Sequence, residues 1–119
     1  MSERLEIRLA GMGGQGMILA GVLLADAAIR DGKNAVQTQS YGPEARGGAS
    51  RSEVIISSDE IDYPEVIQAD VVLCMSQHAC DKYAHPLKLD GLLIVDSGHV
   101  QRLPTTLAVR ADLNAWAVE

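Results

Sequence analysis

The chain has 119 residues, enough for one domain with one core, and its 47% apolar and 22% charged content is the balance of a folded globular protein. A net charge of −6 speaks against nucleic-acid binding, no apolar run is long enough to span a bilayer, and the polar start Met1 to Glu6 does not read as a secretory leader. Two cysteines, Cys74 and Cys80, are too few for a disulfide scaffold and suit a reducing cytoplasm, and the absence of Phe calls for a core of aliphatic and small side chains.

Leu5, Ile7 and Leu9 alternate with Glu6 and Arg8, which predicts a first strand. It leads into Gly11-Met12-Gly13-Gly14-Gln15-Gly16, a glycine turn between strand and helix. Backbone N–H groups at such a turn can approach a phosphate with no Cβ in the way, and the helix dipole favours the negative charge. Met17 to Arg30 predicts the helix, with Asp26 and Arg30 its charged residues. A helix apolar nearly all round calls for burial on more than one side. Gly32 supplies the C-terminal stop and Asn34 to Gln39 a second strand, which completes a βαβ unit.

Ser40 to Arg51 breaks this rhythm and reads as a loop with two glycine pivots. Arg51 to Ser57 predicts a strand that follows closely enough to run antiparallel, and Ser57 to Glu60 a turn. Pro64 can open a short helix through Gln68, and Ala69 to Met75 predicts a buried strand. Ser76 to Tyr83 predicts a helix ended near Pro86, Gly91 to Asp96 and Leu107 to Arg110 two further strands, and Asp112 the cap of a helix running to Glu119. The expected fold class is α/β, a three-layer α/β/α arrangement around a Rossmann-like, mainly parallel sheet that leaves room for one antiparallel strand.

Gly11, Gly13 and Gly16 match the G-x-G-x-x-G spacing of a dinucleotide site, in the right strand-to-helix context. Such a site also needs a carboxylate at the end of the second strand to hold the ribose hydroxyls, and that end reads Gln37-Thr38-Gln39. The mismatch argues against NAD, and the lack of a following Gly-Lys-Ser/Thr excludes a P-loop. The plainer explanation of the glycines is close helix-to-sheet packing. Further on, Arg46 and Arg51 flank Gly47 and Gly48, a grouping of cations and exposed amides suited to a phosphate or carboxylate, unless Glu44 takes one of the arginines in a solvated turn. In a doubly wound sheet the end of the second strand lies beside the glycine turn, so the two loops are expected to share one edge.

Gly11-Met-Gly-Gly-Gln-Gly16, followed by Ser40-Tyr-Gly-Pro-Glu-Ala-Arg-Gly-Gly-Ala-Ser50, resembles the gamma subunit of 2-oxoacid:ferredoxin oxidoreductases, most closely its 2-oxoglutarate branch. Ala69-Asp-Val-Val-Leu73 and Gly91-Leu-Leu-Ile-Val-Asp-Ser97 fit as well, so the resemblance runs from about residue 5 to 118. It implies a complex in which alpha and beta subunits bind thiamine diphosphate and the 2-oxoacid, a ferredoxin-like subunit carries iron–sulfur clusters, and electrons pass to ferredoxin as the acyl group goes to coenzyme A. The gamma chain would support assembly, with coenzyme A as its candidate ligand and no tightly bound cofactor or catalytic residue of its own. Two cysteines indeed cannot ligate a cubane cluster, which takes four. Carried over by position, Gly11, Gly13, Gly14, Gln15 and Gly16 match the first motif, and Tyr41, Gly42, Pro43, Glu44, Arg46, Gly47 and Gly48 the second, with Arg51 beside it. Family chains continue well beyond this length. The expectation is therefore a single gamma-type domain over residues 1–119, shortened at its C-terminus, able to form a homodimer in isolation. The alternative is a stand-alone Rossmann-like nucleotide-binding or interaction module.

Other candidates are weaker. Cys74, His78, Cys80 and His85 invite a zinc reading, yet His78 and Cys80 two apart on a helix point to different faces. Tyr41 suits a lid or a loop anchor. His99, after Asp96-Ser97-Gly98, has no visible partner in the sequence, so a hydrolase triad is unsupported.

Overall fold

A computed structural model describes residues 4–12, 16–41, 48–101, 108–111 and 113. Six strands, β1 (Arg4–Met12), β2 (Asn34–Tyr41), β3 (Ala49–Ser57), β4 (Ala69–Cys74), β5 (Leu87–Asp96) and β6 (Ala108–Ala111), form one sheet in the order β2-β3-β1-β4-β5-β6. The pairs β1–β4, β4–β5 and β5–β6 are parallel, while β3 pairs antiparallel with both β1 and β2. The expected antiparallel strand is thus present, but it is inserted between the two strands of the βαβ unit. The end of β2 is therefore not adjacent to β1, as a doubly wound sheet would have it.

Two helices, α1 (Met17–Arg30) and α2 (Gln77–Tyr83), pack on opposite faces. Alternation along β1 assigns the faces: Ile7 and Leu9 join Val54, Met17 and Ala25 beneath α1, whereas Ala10 joins Ala49, Ala79 and Tyr83 beneath α2. A second cluster on the α2 side holds Val72, Cys74, Cys80, Leu93 and Val95, all fully buried. The three-layer α/β/α arrangement follows from this division.

Helix α1 meets the sheet along Met17, Gly21, Ala25 and Ala28, a mostly small-residue stripe, with Leu24 packed beside it. Gly21 permits the approach: a Cβ there would fall 1.9 Å from Ser52 Oγ. Leu19, Val22, Leu23 and Ile29 consequently face outward and are exposed. The second buried side expected for this helix is not supplied by the described residues.

Three local expectations change. Residues 64–68 form no helix; Val66 instead packs against the buried α2-side cluster. Strand β5 starts at Leu87, four residues before the expected Gly91, because Leu87 pairs with Ala69. Of the predicted C-terminal helix, Leu113 is helical and residues 112 and 114–119 lie outside the described residues, as does Leu107 of the last strand.

Candidate functional site

The carboxyl ends of β1, β4, β5 and β6 lie at one edge of the sheet, where open α/β sheets bind ligands. Both singled-out segments leave from this edge. Gly11 and Met12 belong to β1, where Gly11 pairs with Ser50 of β3, and Ser50 pairs in turn with Tyr41 at the end of β2. One rung across three strands therefore brings the starts of both segments together, although β3 stands between them. Ser50 Oγ also donates to the Gly11 carbonyl at 3.4 Å. The Met75 N–H donates to the Ala10 carbonyl at 2.9 Å, which ties the end of β4 to the same place.

Of the sequence-predicted residues, Gly13, Gly14, Gln15, Gly42, Pro43, Glu44, Arg46 and Gly47 lie outside the described residues. Gly16 is the N-cap of α1 with φ 79°, a left-handed conformation that favours glycine, and it has no side chain with which to cap the helix. Its carbonyl accepts the Ala20 N–H at 2.8 Å, and no acidic residue sits in the first turn. The positive dipole end of α1 thus faces the edge. Tyr41 is positioned by its backbone at the end of β2, and Gly48 lies half-buried before β3.

Arg51 lies one rung in from that edge, on the α2 side, in a charged cluster that sequence reading missed. Arg8, which alternates with Ile7 and Leu9 in the first strand, is 2% exposed: its Nε donates to Glu53 Oε2 at 2.8 Å and its guanidinium to the Tyr83 and Pro86 carbonyls at 3.3 and 3.2 Å. Arg51 Nε lies 3.9 Å from the other oxygen of Glu53, and the guanidinium stands 5.2 Å from the centre of the Tyr83 ring. Lys82 approaches the same ring at 5.5 Å. Arg51 Nε is buried and makes no hydrogen bond. A pocket of about 260 Å³ opens here, lined by Thr38, Gln39, Ser40, Arg51, Glu53, Glu65 and Val66. The available signal was the alternate charges Arg4, Glu6 and Arg8 on β1 and Arg51 and Glu53 on β3, with Arg8 opposite Glu53.

The remaining candidates resolve differently. Cys74 and Cys80 are buried side by side in the α2-side core. Burial pushes both thiols up, and Cys80 adds to the shift of Cys74, so both stay protonated core groups. Among the described residues no group of three His, Cys, Asp or Glu could hold a metal ion. His99 does have a carboxylate partner: its Nδ1 meets Oδ2 of fully buried Asp96, whose Oδ1 accepts the Leu113 N–H at 2.9 Å. The signal was the three-residue spacing, but only the turn after β5 brings the two together. No helix among the described residues is long and apolar enough to cross a membrane.

The family described as pyruvate ferredoxin/flavodoxin oxidoreductase matches residues 6–119. A 2-oxoglutarate synthase subunit KorC from Methanocaldococcus jannaschii is 62% identical over 94 residues, covering 78% of this chain and 50% of the relative. The gamma subunit of a keto/oxoacid ferredoxin oxidoreductase from Geobacter sulfurreducens superposes with a TM-score of 0.78 at 55% identity, covering 91% of this chain and 59% of that one. A 2-oxoglutarate:ferredoxin oxidoreductase from Magnetococcus marinus, solved with 2-oxoglutarate, coenzyme A and succinyl-CoA, shares the fold with a TM-score of 0.78 at 23% identity, covering 91% of this chain and 19% of that one. The chain spans about half the length of the curated relatives it matches.

Proposed function

Because the chain belongs to the pyruvate ferredoxin/flavodoxin oxidoreductase family, we propose that it acts as the gamma-type part of a 2-oxoacid:ferredoxin oxidoreductase, with 2-oxoglutarate as the substrate of the complex. Thiamine diphosphate and iron–sulfur clusters then belong to alpha, beta and ferredoxin-like partners, and ferredoxin receives the electrons. This chain contributes assembly and a surface for coenzyme A, and has no activity alone. Its site is the two-loop edge: Gly11, Gly13, Gly14, Gln15 and Gly16 on one side, and Tyr41, Gly42, Pro43, Glu44, Arg46, Gly47, Gly48 and Arg51 on the other. In isolation the chain self-associates through the exposed outer face of α1, whose Leu19, Leu23 and Ile29 need cover.

The observation that supports this reading best is the shared rung Tyr41–Ser50–Gly11, which starts both segments at the carboxyl-end edge of the sheet, near the start of α1. Coenzyme A carries phosphates, and backbone amides at a helix start suit phosphate. The end of β2 also lacks the ribose carboxylate of a dinucleotide site: Gln37 there donates to Ser52 Oγ at 3.0 Å, tying β2 to β3. The test combines the chain with purified thiamine-diphosphate-binding subunits and measures ferredoxin reduction that depends on both 2-oxoglutarate and coenzyme A. Loss of the activity when the chain is omitted supports the proposal, and an unchanged rate without it rejects it.

A further inference from the structure

Arg51 has no close counter-charge among the described residues. Arg8 and Arg51 share a single carboxylate, Glu53, and Arg8 takes the short contact, at 2.8 Å against 3.9 Å for Arg51. Arg8 is also satisfied by two backbone carbonyls, so it leaves Glu53 nothing further to compensate. Arg51 is left with a ring contact and a buried Nε–H that has no acceptor. A buried donor without an acceptor is destabilising, and an acceptor bound at the guanidinium would relieve that.

We infer that Arg51 is the seat for one carboxylate group of a partner polypeptide, an Asp or Glu side chain inserted into the pocket between β2, β3 and residues 65–66. The inference rests on the reading of this edge as subunit-facing and adds the chemistry of the contact. Three features suit a carboxylate. The pocket, about 260 Å³, lies below the roughly 300–1,000 Å³ of small-molecule sites but accommodates a side chain. Glu53 and Glu65 line it beside Arg51, and they repel a dianion more strongly than a group with one negative charge. The planar guanidinium fork matches a carboxylate in two parallel hydrogen bonds, and the Thr38 and Ser40 hydroxyls on the same wall can donate to it.

The experiment follows the Arg51 Nε–H resonance of the full ¹⁵N-labelled chain during titration with N-acetylglutamate amide, its glutamine counterpart, inorganic phosphate and coenzyme A. The expected result is a saturable shift of that resonance with the glutamate probe alone, abolished in Arg51→Gln while the backbone spectrum is retained. A stronger response to phosphate or coenzyme A, an equal response to the glutamine probe, or no response overturns the inference. The outcome is separable from the proposed function. If ferredoxin reduction requires the chain while Arg51 ignores the glutamate probe, the carboxylate seat fails and the subunit role stands. If Arg51 responds while reduction proceeds without the chain, the reverse holds.

Discussion

Two regions lie side by side under α2, one dry and one charged. Beneath β4 and β5, Val72, Cys74, Cys80, Leu93 and Val95 close on one another with no polar contact to complete, and the side chains there need nothing beyond the fold. One strand over, between β1 and β3, Arg8, Glu53, Arg51 and Tyr83 form a cluster in which Arg51 has no close counter-charge and its Nε–H no acceptor. A buried ion pair is seldom a better stabiliser than apolar residues of the same volume. The difference indicates where the chain is built for stability and where for contact with something else.

The largest effect is expected from removing the carboxylate at the centre of the charged region. Glu53→Ala leaves Arg8, 2% exposed, with no counter-charge, and urea unfolding should show a loss of about 3–5 kcal/mol. That is a large share of the roughly 5–15 kcal/mol that holds a domain together. A loss under about 1 kcal/mol would mean that water reaches Arg8 and that the contrast with the dry region is false.

Gly21→Ala tests how closely α1 approaches the sheet. Alanine favours a helix by about 1 kcal/mol over glycine, but here its Cβ would sit 1.9 Å from Ser52 Oγ and 3.0 Å from Ser52 Cβ, and overpacking of about 1–3 kcal/mol should win. Adding Ser52→Gly should recover part of the loss. If the single variant is instead more stable, the helix stands further from the sheet than the small-residue stripe implies.

The dry region responds to alkali. Cys74 and Cys80 have folded-state pKa values raised by burial, while in the unfolded chain they ionise near the ordinary thiol value of 9.0. Below pH 9 both states are protonated and nothing is lost. As pH rises above 9 the unfolded state sheds protons that the native state keeps, so stability falls, by about 1 kcal/mol per pH unit for Cys74, with Cys80 acting in the same direction. Urea midpoints at pH 8 and pH 10 measure the slope, and Cys80→Ala should flatten it.

Much of this was legible in the chain. The bounds of α1 agree with the sequence because its charges and Gly32 mark them locally; Gly11 and Tyr41 do share a rung, but the sequence reading placed them at one edge by setting β2 beside β1, and β3 stands between them. The insertion of β3 was not legible: alternation in residues 51–57 predicts a strand, but which neighbours it takes is a non-local choice. The burial of Arg8 was not legible for a related reason. Polar alternation marks solvent only when one face of a strand is bare, and β1 is covered on both, by α1 and by α2. The Pro64 signal failed because one favourable helix start cannot offset nucleation over so few residues when Val66 gains more by packing on the core.

The smallest effect is expected where the contact is. Arg51 makes no side-chain hydrogen bond among the described residues; it holds a ring at 5.2 Å and shares a carboxylate already taken. Arg51→Gln forfeits a cation–π contact worth about 0.5–1 kcal/mol and relieves its repulsion with Arg8, so urea unfolding should change by less than about 1 kcal/mol. Set against the several kcal/mol at Glu53, two residues along the same strand, that asymmetry would separate the residue that holds the cluster together from the residue the cluster presents. A loss at Arg51 as large as at Glu53 would make all of it core and leave nothing to offer a partner.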